Sequence, residues 1–432
     1  MNTIPPRRRR TQARPVAPFT ATTTLTALAA LAMLAGCSSH APSEGTRPMP
    51  SASAPSQAPS QTATTEAFTP IIARALSEPI ATPASDGRTH LAYELQLTNT
   101  LSQTVALDGI TVSSDAGELL TLADRELAAR TLVIGGGDPS SLGPGQSALV
   151  LLDVALDASA GTTGTAFPSV LQHQLRITPQ QAMPPVFDSP LTESLPPVAL
   201  NPGTPVVIGP PLKGDKWLDG NSCCDVTPHR TAINPVNGEY HVPERYAIDF
   251  IQLDDTRRAF DGPIDRLTSY PYEGSEVIAV ADGPVVAITS DRPEQTPGAN
   301  PPGGLTLDEY GGNYVVQDIG DGRYAFYAHL QPGNPIGITV GQQLSRGETL
   351  GLLGNSGNSS GPHLHFHVMN SPLPLASDGL PFTFDSYTLA GTVTEEGLQA
   401  CLVEAIACGE NRGNTSTQRA TSPLYRDVLN FP

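Results

Sequence analysis

Between residues 69 and 200, apolar and polar positions alternate in short runs. Residues 93–98 read Tyr-Glu-Leu-Gln-Leu-Thr, residues 104–107 read Thr-Val-Ala-Leu, and residues 172–177 alternate in the same way. Residues 148–152, Ala-Leu-Val-Leu-Leu, form a short apolar run. Alternation with period two turns one set of side chains toward a core, so each run predicts a strand. Turn formers separate the runs: Asn99-Thr100, Asp115-Ala116-Gly117, the Gly-rich stretch at 135–139, and Gly143-Pro144-Gly145. Short strands at this spacing predict an immunoglobulin-like β-sandwich over residues 69–200. Its histidines, His90 and His173, stand alone in the sequence, so this unit reads as a spacer or docking module.

The region 201–432 is again strand-rich. Strands are predicted at 277–280, 284–288, 314–319 and 324–329, the last two joined by the hairpin signal Gly320-Asp321-Gly322. A loop rich in Pro and Gly at 291–304 has the length of a groove wall. This region holds six of the nine histidines and four of the five cysteines.

Composition narrows the function. A chain of 432 residues allows two folded units plus tails. Charged residues make up 15%, with 43 Pro and 40 Gly, which disfavours helical bundles. Lys+Arg is 24 against Asp+Glu 42, a net charge of -18, and the only lysines are Lys213 and Lys216. Such a chain lacks the cations that neutralise phosphates, which excludes nucleic acid as a partner.

The amino terminus reads as an address. Arg7, Arg8, Arg9 and Arg10 precede an apolar stretch at about 25–34, too short for a bilayer span. Leu34-Ala35-Gly36-Cys37-Ser38-Ser39 then resembles the bacterial lipoprotein signal. This implies removal of residues 1–36 and a diacylglycerol thioether on Cys37. Residues 37–68, rich in Ser, Pro, Ala and Thr, predict a flexible tether. Ser38 rather than Asp after the cysteine implies the outer membrane, facing the periplasm, by analogy with enteric sorting.

Three segments carry chemistry. In Gly361-Pro362-His363-Leu364-His365-Phe366-His367, a strand would put all three imidazoles on one face and Leu364 and Phe366 on the other. Neutral imidazole is a good Zn²⁺ ligand, so the face suits a metal, although a solvated face is the plain alternative. In Tyr327-Ala328-His329-Leu330, a histidine closes a strand. In Arg245-Tyr246-Ala247-Ile248-Asp249-Phe250, a carboxylate sits in an apolar run and needs a cation or several donors.

Together with residues 274–283 and the run 340–357, these segments resemble the lysostaphin/LytM-type zinc endopeptidases over about residues 240–370. The resemblance implies an antiparallel β-sheet or half-barrel peptidase domain at 201–432 that binds Zn²⁺ and cuts peptidoglycan peptides. It implies that Asp249 and His365 are metal ligands and that His329 and His363 are catalytic. His367 stands where the family usually has an acid, implying a role behind the ligands or at the surface. The family's His-x3-Asp pattern would put the first ligand at position 245, which is Arg245 here, and a guanidinium cannot ligate zinc. His229 or His241 could supply the missing nitrogen, with His229 favoured. If neither does, the domain is a catalytically degenerate relative that binds cell wall or activates an amidase. Residues 333–357 also resemble the hairpin of biotinyl and lipoyl carriers, but lack the lysine those require. The sandwich could dock an envelope protein partner.

Cysteines outside the cytoplasm are usually paired. Cys223, Cys224, Cys401 and Cys408 allow three pairings, and adjacent cysteines fit disulfide geometry poorly. Cys401–Cys408 is therefore expected first, with links from Cys223 or Cys224 to the carboxyl-terminal segment next. The lipoprotein reading makes one direct prediction. Cys37→Ala should abolish incorporation of labelled palmitate and leave the chain in the unprocessed form on a gel; unchanged labelling would reject Cys37 as the anchor.

Overall fold

Alternate positions along the amino-terminal strands are apolar, and this decides their packing. In Val170–Pro179, Leu171, Leu175 and Ile177 are buried while Gln172, Gln174 and Arg176 are exposed. The computed structural model describes residues 66–157, 167–301, 303–411 and 415–432. The expected leader, Cys37 and nearly all of the tether lie outside the described residues. The fold is mainly β.

Two antiparallel sheets face each other over one apolar core. One runs Ile71–Ala75, Arg88–Asn99, Ser147–Asp157, Thr131–Val133. The other runs Leu191–Ala199, Val170–Pro179, Val105–Ser114, Gly117–Ala123. This neighbour order is that of the A-B-E-D and G-F-C-C′ sheets of immunoglobulin-type sandwiches. Both histidines have partners, contrary to their isolation in sequence: His90 Nδ1 lies 2.9 Å from Asp153, and His173 Nε2 lies 2.7 Å from the Tyr93 hydroxyl.

The strand Arg88–Asn99 is covered on both faces. Leu91, Tyr93, Leu95 and Leu97 point into the sandwich core. From the opposite face, Ala92 joins a second core built from residues after 205, and Glu94 is fully buried. Polar positions in an alternating strand usually meet water; here they meet the rest of the chain.

The second core backs a long antiparallel sheet. Its central neighbours run Asn313–Asp318, Tyr324–Leu330, Leu364–Met369, Ile248–Gln252, Gly214–Gly220 and Asp427–Phe431. The hairpin through Gly320-Asp321-Gly322 forms as its turn residues predict. Among its described residues the loop at 291–304 contains no strand; the Arg292 amide ties it to the Asn313 side chain of the sheet at 2.8 Å, and an isolated bridge joins Glu294 to Ser356. Cys401 and Cys408 are bonded and clip the helix Glu395–Cys401, whose amino end is capped by the Thr394 side chain. Cys223 and Cys224 are bonded to each other, which corrects the expected links to the carboxyl-terminal segment. Their peptide bond is cis and their Cα atoms lie 3.0 Å apart, closer than the ~3.8 Å of a trans bond. Among the described residues, no helix is long and apolar enough to cross a membrane.

Glu193 ties the two sheets at their edges. Its carboxylate accepts the Ile71 amide at 3.1 and 3.4 Å and is 4% exposed. Burial pushes Glu193 up to about 7 from 4.5, against the pull of that amide. A raised acid binds its proton more tightly when folded, so its stabilisation is complete below the unfolded value and lost as pH rises toward 7. Thermal unfolding should therefore show a falling Tm between about 4.5 and 7, and Glu193→Gln should make the slope shallower. An unchanged slope would remove Glu193 as its source.

Candidate metal centre

Three strands set the floor of a cleft of about 660 Å³. Leu364–Met369 runs between Tyr324–Leu330 and Ile248–Gln252, and the register sets both Asp249 and Ala328 opposite His365. Leu364 and Phe366 point into the core, while His363, His365 and His367 line the cleft. This is the face segregation that the alternating motif predicts.

Asp249 is the hub. Its Oδ1 lies 3.0 Å from His365 Nδ1 and 3.3 Å from His363 Nε2. Its Oδ2 lies 3.2 Å from His229 Nε2 and accepts a hydrogen bond from Asn221 Nδ2 at 2.8 Å. Burial would push this carboxyl up, but the His229 and His363 imidazoles outweigh burial and hold it well below the usual carboxylate range. Burial likewise opposes the charged form of His229, and the neighbouring Asp249 lifts it to about 9. The site is thus built around a carboxylate whose ionised form its neighbours favour, and such a group favours a cation beside it.

His229 reaches the carboxylate from an irregular segment. It lies on the short helix Pro228–Thr231, with proline at the first position, where its missing N–H costs nothing. The Thr227 hydroxyl donates to the Asn221 carbonyl at 2.7 Å and accepts the Arg230 amide at 3.4 Å, which closes the loop around the Cys223–Cys224 bond. His229 Nδ1 donates to the Ala247 carbonyl at 3.1 Å. A carbonyl and an ionised carboxylate both only accept, so Nδ1 donates to Ala247 and Nε2 donates to Asp249; a metal ion would take the place of the Nε2 proton. His241 lies on the hairpin Asn234–Val236 with Glu239–His241 and belongs to none of the candidate metal-holding groups among the described residues. Arg245 points away from the cleft, to Glu94.

Two overlapping triplets have donor atoms within 4.8 Å of one another: His229, Asp249 and His365, and His329, His363 and His365. A third, His90, Asp153 and Cys224, includes a sulfur already held in a disulfide. The first triplet suits zinc. Zinc bonds of ~2.0–2.2 Å in a tetrahedron imply donor separations of ~3.3 Å, near the 3.2 and 3.0 Å seen from Asp249 to His229 and His365. Each imidazole is also anchored through its other nitrogen: His229 by Ala247, and His365 Nε2 by His367 Nδ1 at 3.0 Å. Such outer partners fix ring orientation in metal sites. His367 therefore sits buried behind a ligand candidate, not at the surface.

His329, the last residue but one of the strand Tyr324–Leu330, sits at φ 62, in the left-handed region. Its Nδ1 donates to the Ser356 carbonyl at 2.8 Å, and its ring centroid is 4.7 Å from that of His363. Burial first, then the His363 and His365 imidazoles, hold it well below the ordinary histidine range, so its ring is neutral. His363 Nδ1 lies 2.8 Å from the Gly361 carbonyl. All five candidates, His229, Asp249, His329, His363 and His365, line the same cleft. The glycines at 351–357 allow close packing within the protein. A Cβ on Gly357 would fall 2.3 Å from Gly312 N, so this glycine lets the turn pack on the loop at 301–312. Asn221 went unnoticed in the sequence: a single asparagine at φ 59 before two cysteines carries no pattern.

Residues 268–376 match the family model described as Peptidase family M23. His329, His363 and His365 fall inside this span; Asp249 and His229 precede it. Peptidoglycan DD-endopeptidase ShyA of Vibrio cholerae serotype O1 is 34% identical over 113 residues, 24% of this chain and 22% of that protein. An uncharacterized metalloprotease of Haemophilus influenzae is 32% identical over 120 residues, 27% of this chain and 21% of that protein. The matched stretch spans about a fifth of the length of these curated relatives. Among solved structures, a zinc containing peptidase from Vibrio cholerae is 15% identical, covering 67% of this chain and 80% of its own, at a TM-score of 0.21.

The geometry distinguishes the two histidines that the sequence left open. His229→Ala should weaken zinc binding by more than about 100-fold, beyond the ~10–100-fold that loss of an outer partner costs. His241→Ala should leave it near wild type. Competition against a chromophoric chelator checks both, and equal affinities for the two variants would reject His229 as a ligand.

Proposed function

We propose that this chain, which carries a Peptidase family M23 domain over residues 268–376, is a zinc-dependent endopeptidase that hydrolyses peptide cross-links of bacterial peptidoglycan. We further propose that lipid on Cys37 holds it in the cell envelope, at the outer membrane and facing the periplasm. The observation that carries the enzymatic reading is the meeting of His229 Nε2, Asp249 and His365 Nδ1, with both imidazoles anchored through their far nitrogens. The Vibrio cholerae relative, a peptidoglycan DD-endopeptidase, supports the substrate class. The degenerate wall-binding or amidase-activating reading drew on Arg245 alone. With His229 beside Asp249, no observation favours it.

His229, Asp249 and His365 would hold the ion. When bound, zinc supplies Lewis acidity and eases ionisation of water at neutral pH. Asn221 keeps Asp249 Oδ2 in place by donating to it. His329, neutral and with Nδ1 committed to Ser356, presents Nε2 to the cleft and can accept a proton from an attacking water. His363, held through Nδ1 by Gly361, can pass a proton to the leaving amine. The loops at 307–311 and 373–376 wall the cleft around an extended peptide.

His329→Ala should lower kcat for cleavage of cross-linked muropeptides by about 10²–10⁴, the usual weight of a general acid or base, with zinc content unchanged. His365→Ala should lose both zinc and cleavage. Chromatography of digested sacculi reads the products, and full cleavage by His365→Ala would overturn the proposal.

A further inference from the structure

His229 faces the cleft, but the chain that presents it is held from behind. Arg230, the next residue, is 1% exposed and reaches into the sandwich. Its Nη2 lies 3.2 Å from the Leu152 carbonyl and 3.4 Å from Glu94 Oε1. Arg245 grips the same carboxylate: Nε lies 3.0 and 2.9 Å from its two oxygens, and Nη2 lies 2.5 Å from Oε2. Arg245 is two residues before Ala247, whose carbonyl accepts the hydrogen bond from His229 Nδ1. Glu94 therefore anchors both pieces of chain that fix this imidazole, the helix through Arg230 and the carbonyl through the turn at 245–247.

We propose that Glu94, a residue of the amino-terminal sandwich, is a positioning residue for His229 and acts on it through Arg230 and Arg245. This rests on the zinc reading above and deepens it. Position 245, where the resembling family keeps a ligand, has become part of the support for a ligand supplied from elsewhere. Apolar side chains could seal the same seam at no loss of stability, since buried ion clusters are often replaceable in that respect. What they could not do is fix two backbone segments in register with directed hydrogen bonds.

The test uses the full chain, zinc as the probe and a competing chromophoric chelator as the readout. Glu94→Gln keeps the side-chain size and removes the charge. Arg230→Met leaves the Glu94–Arg245 pair intact and carries the test should Glu94→Gln fail to fold. Leu175→Ala, which loosens the sandwich core away from the seam, controls for general destabilisation. Each of the first two should weaken zinc binding about tenfold or more, and Leu175→Ala should stay within about twofold of wild type. Wild-type affinity in both seam variants overturns the inference, as does an equal loss in Leu175→Ala. A wild-type chain that takes up no zinc overturns the zinc reading and this inference together; zinc binding indifferent to the seam overturns this inference alone.

Discussion

A carboxylate buried without a guanidinium beside it stays ionised only if other donors enclose it, and Asp249 meets that condition with imidazoles. It sits in the middle of a sheet, where neither neighbour can shift without breaking the ladder. The strand on one side brings His365; the segment leading into that strand brings His363. The loop on the other side brings Asn221 and His229. Every functional group of the cleft is placed relative to this one side chain. The electrostatics follow from it: Asp249 is kept low, His229 is raised, and the more distant His329 is left neutral.

The division of labour among the histidines comes from their second nitrogens. His229, His329 and His363 each have Nδ1 at a backbone carbonyl, which leaves Nε2 for the cleft. His365 is turned the other way, with Nδ1 toward Asp249 and Nε2 toward His367. A strand alone would give three equivalent rings at 363, 365 and 367. The backbone and one further histidine make them unequal.

Much of this was legible in the residues. Alternation at 363–367 announced one polar face, and Asp249 stood out because a lone acid in an apolar run needs a reason. That the amino-terminal region is built of short strands followed from alternation and turn residues; their order in the two sheets did not. What stayed hidden is long-range. Glu94 is a polar position of an alternating run, and nothing local says that a guanidinium 151 residues away will cover it. For the same reason Arg245 read only as a missing ligand. His229 and His241 could not be ranked firmly, because irregular loops have no periodicity to extrapolate. The Cys223–Cys224 bond went against the expectation that adjacent cysteines fit disulfide geometry poorly.

A strand shared by two cores also limits how this molecule can be cut. A fragment starting at residue 201 would leave Ala92 and Glu94 behind. It would carry two guanidinium groups to a bare face with no counter-charge. The region after residue 200 is therefore not a cassette. Shuffling it into another chain means bringing Arg88–Asn99 and the sheet that supports it, or rewriting positions 230 and 245 at the same time.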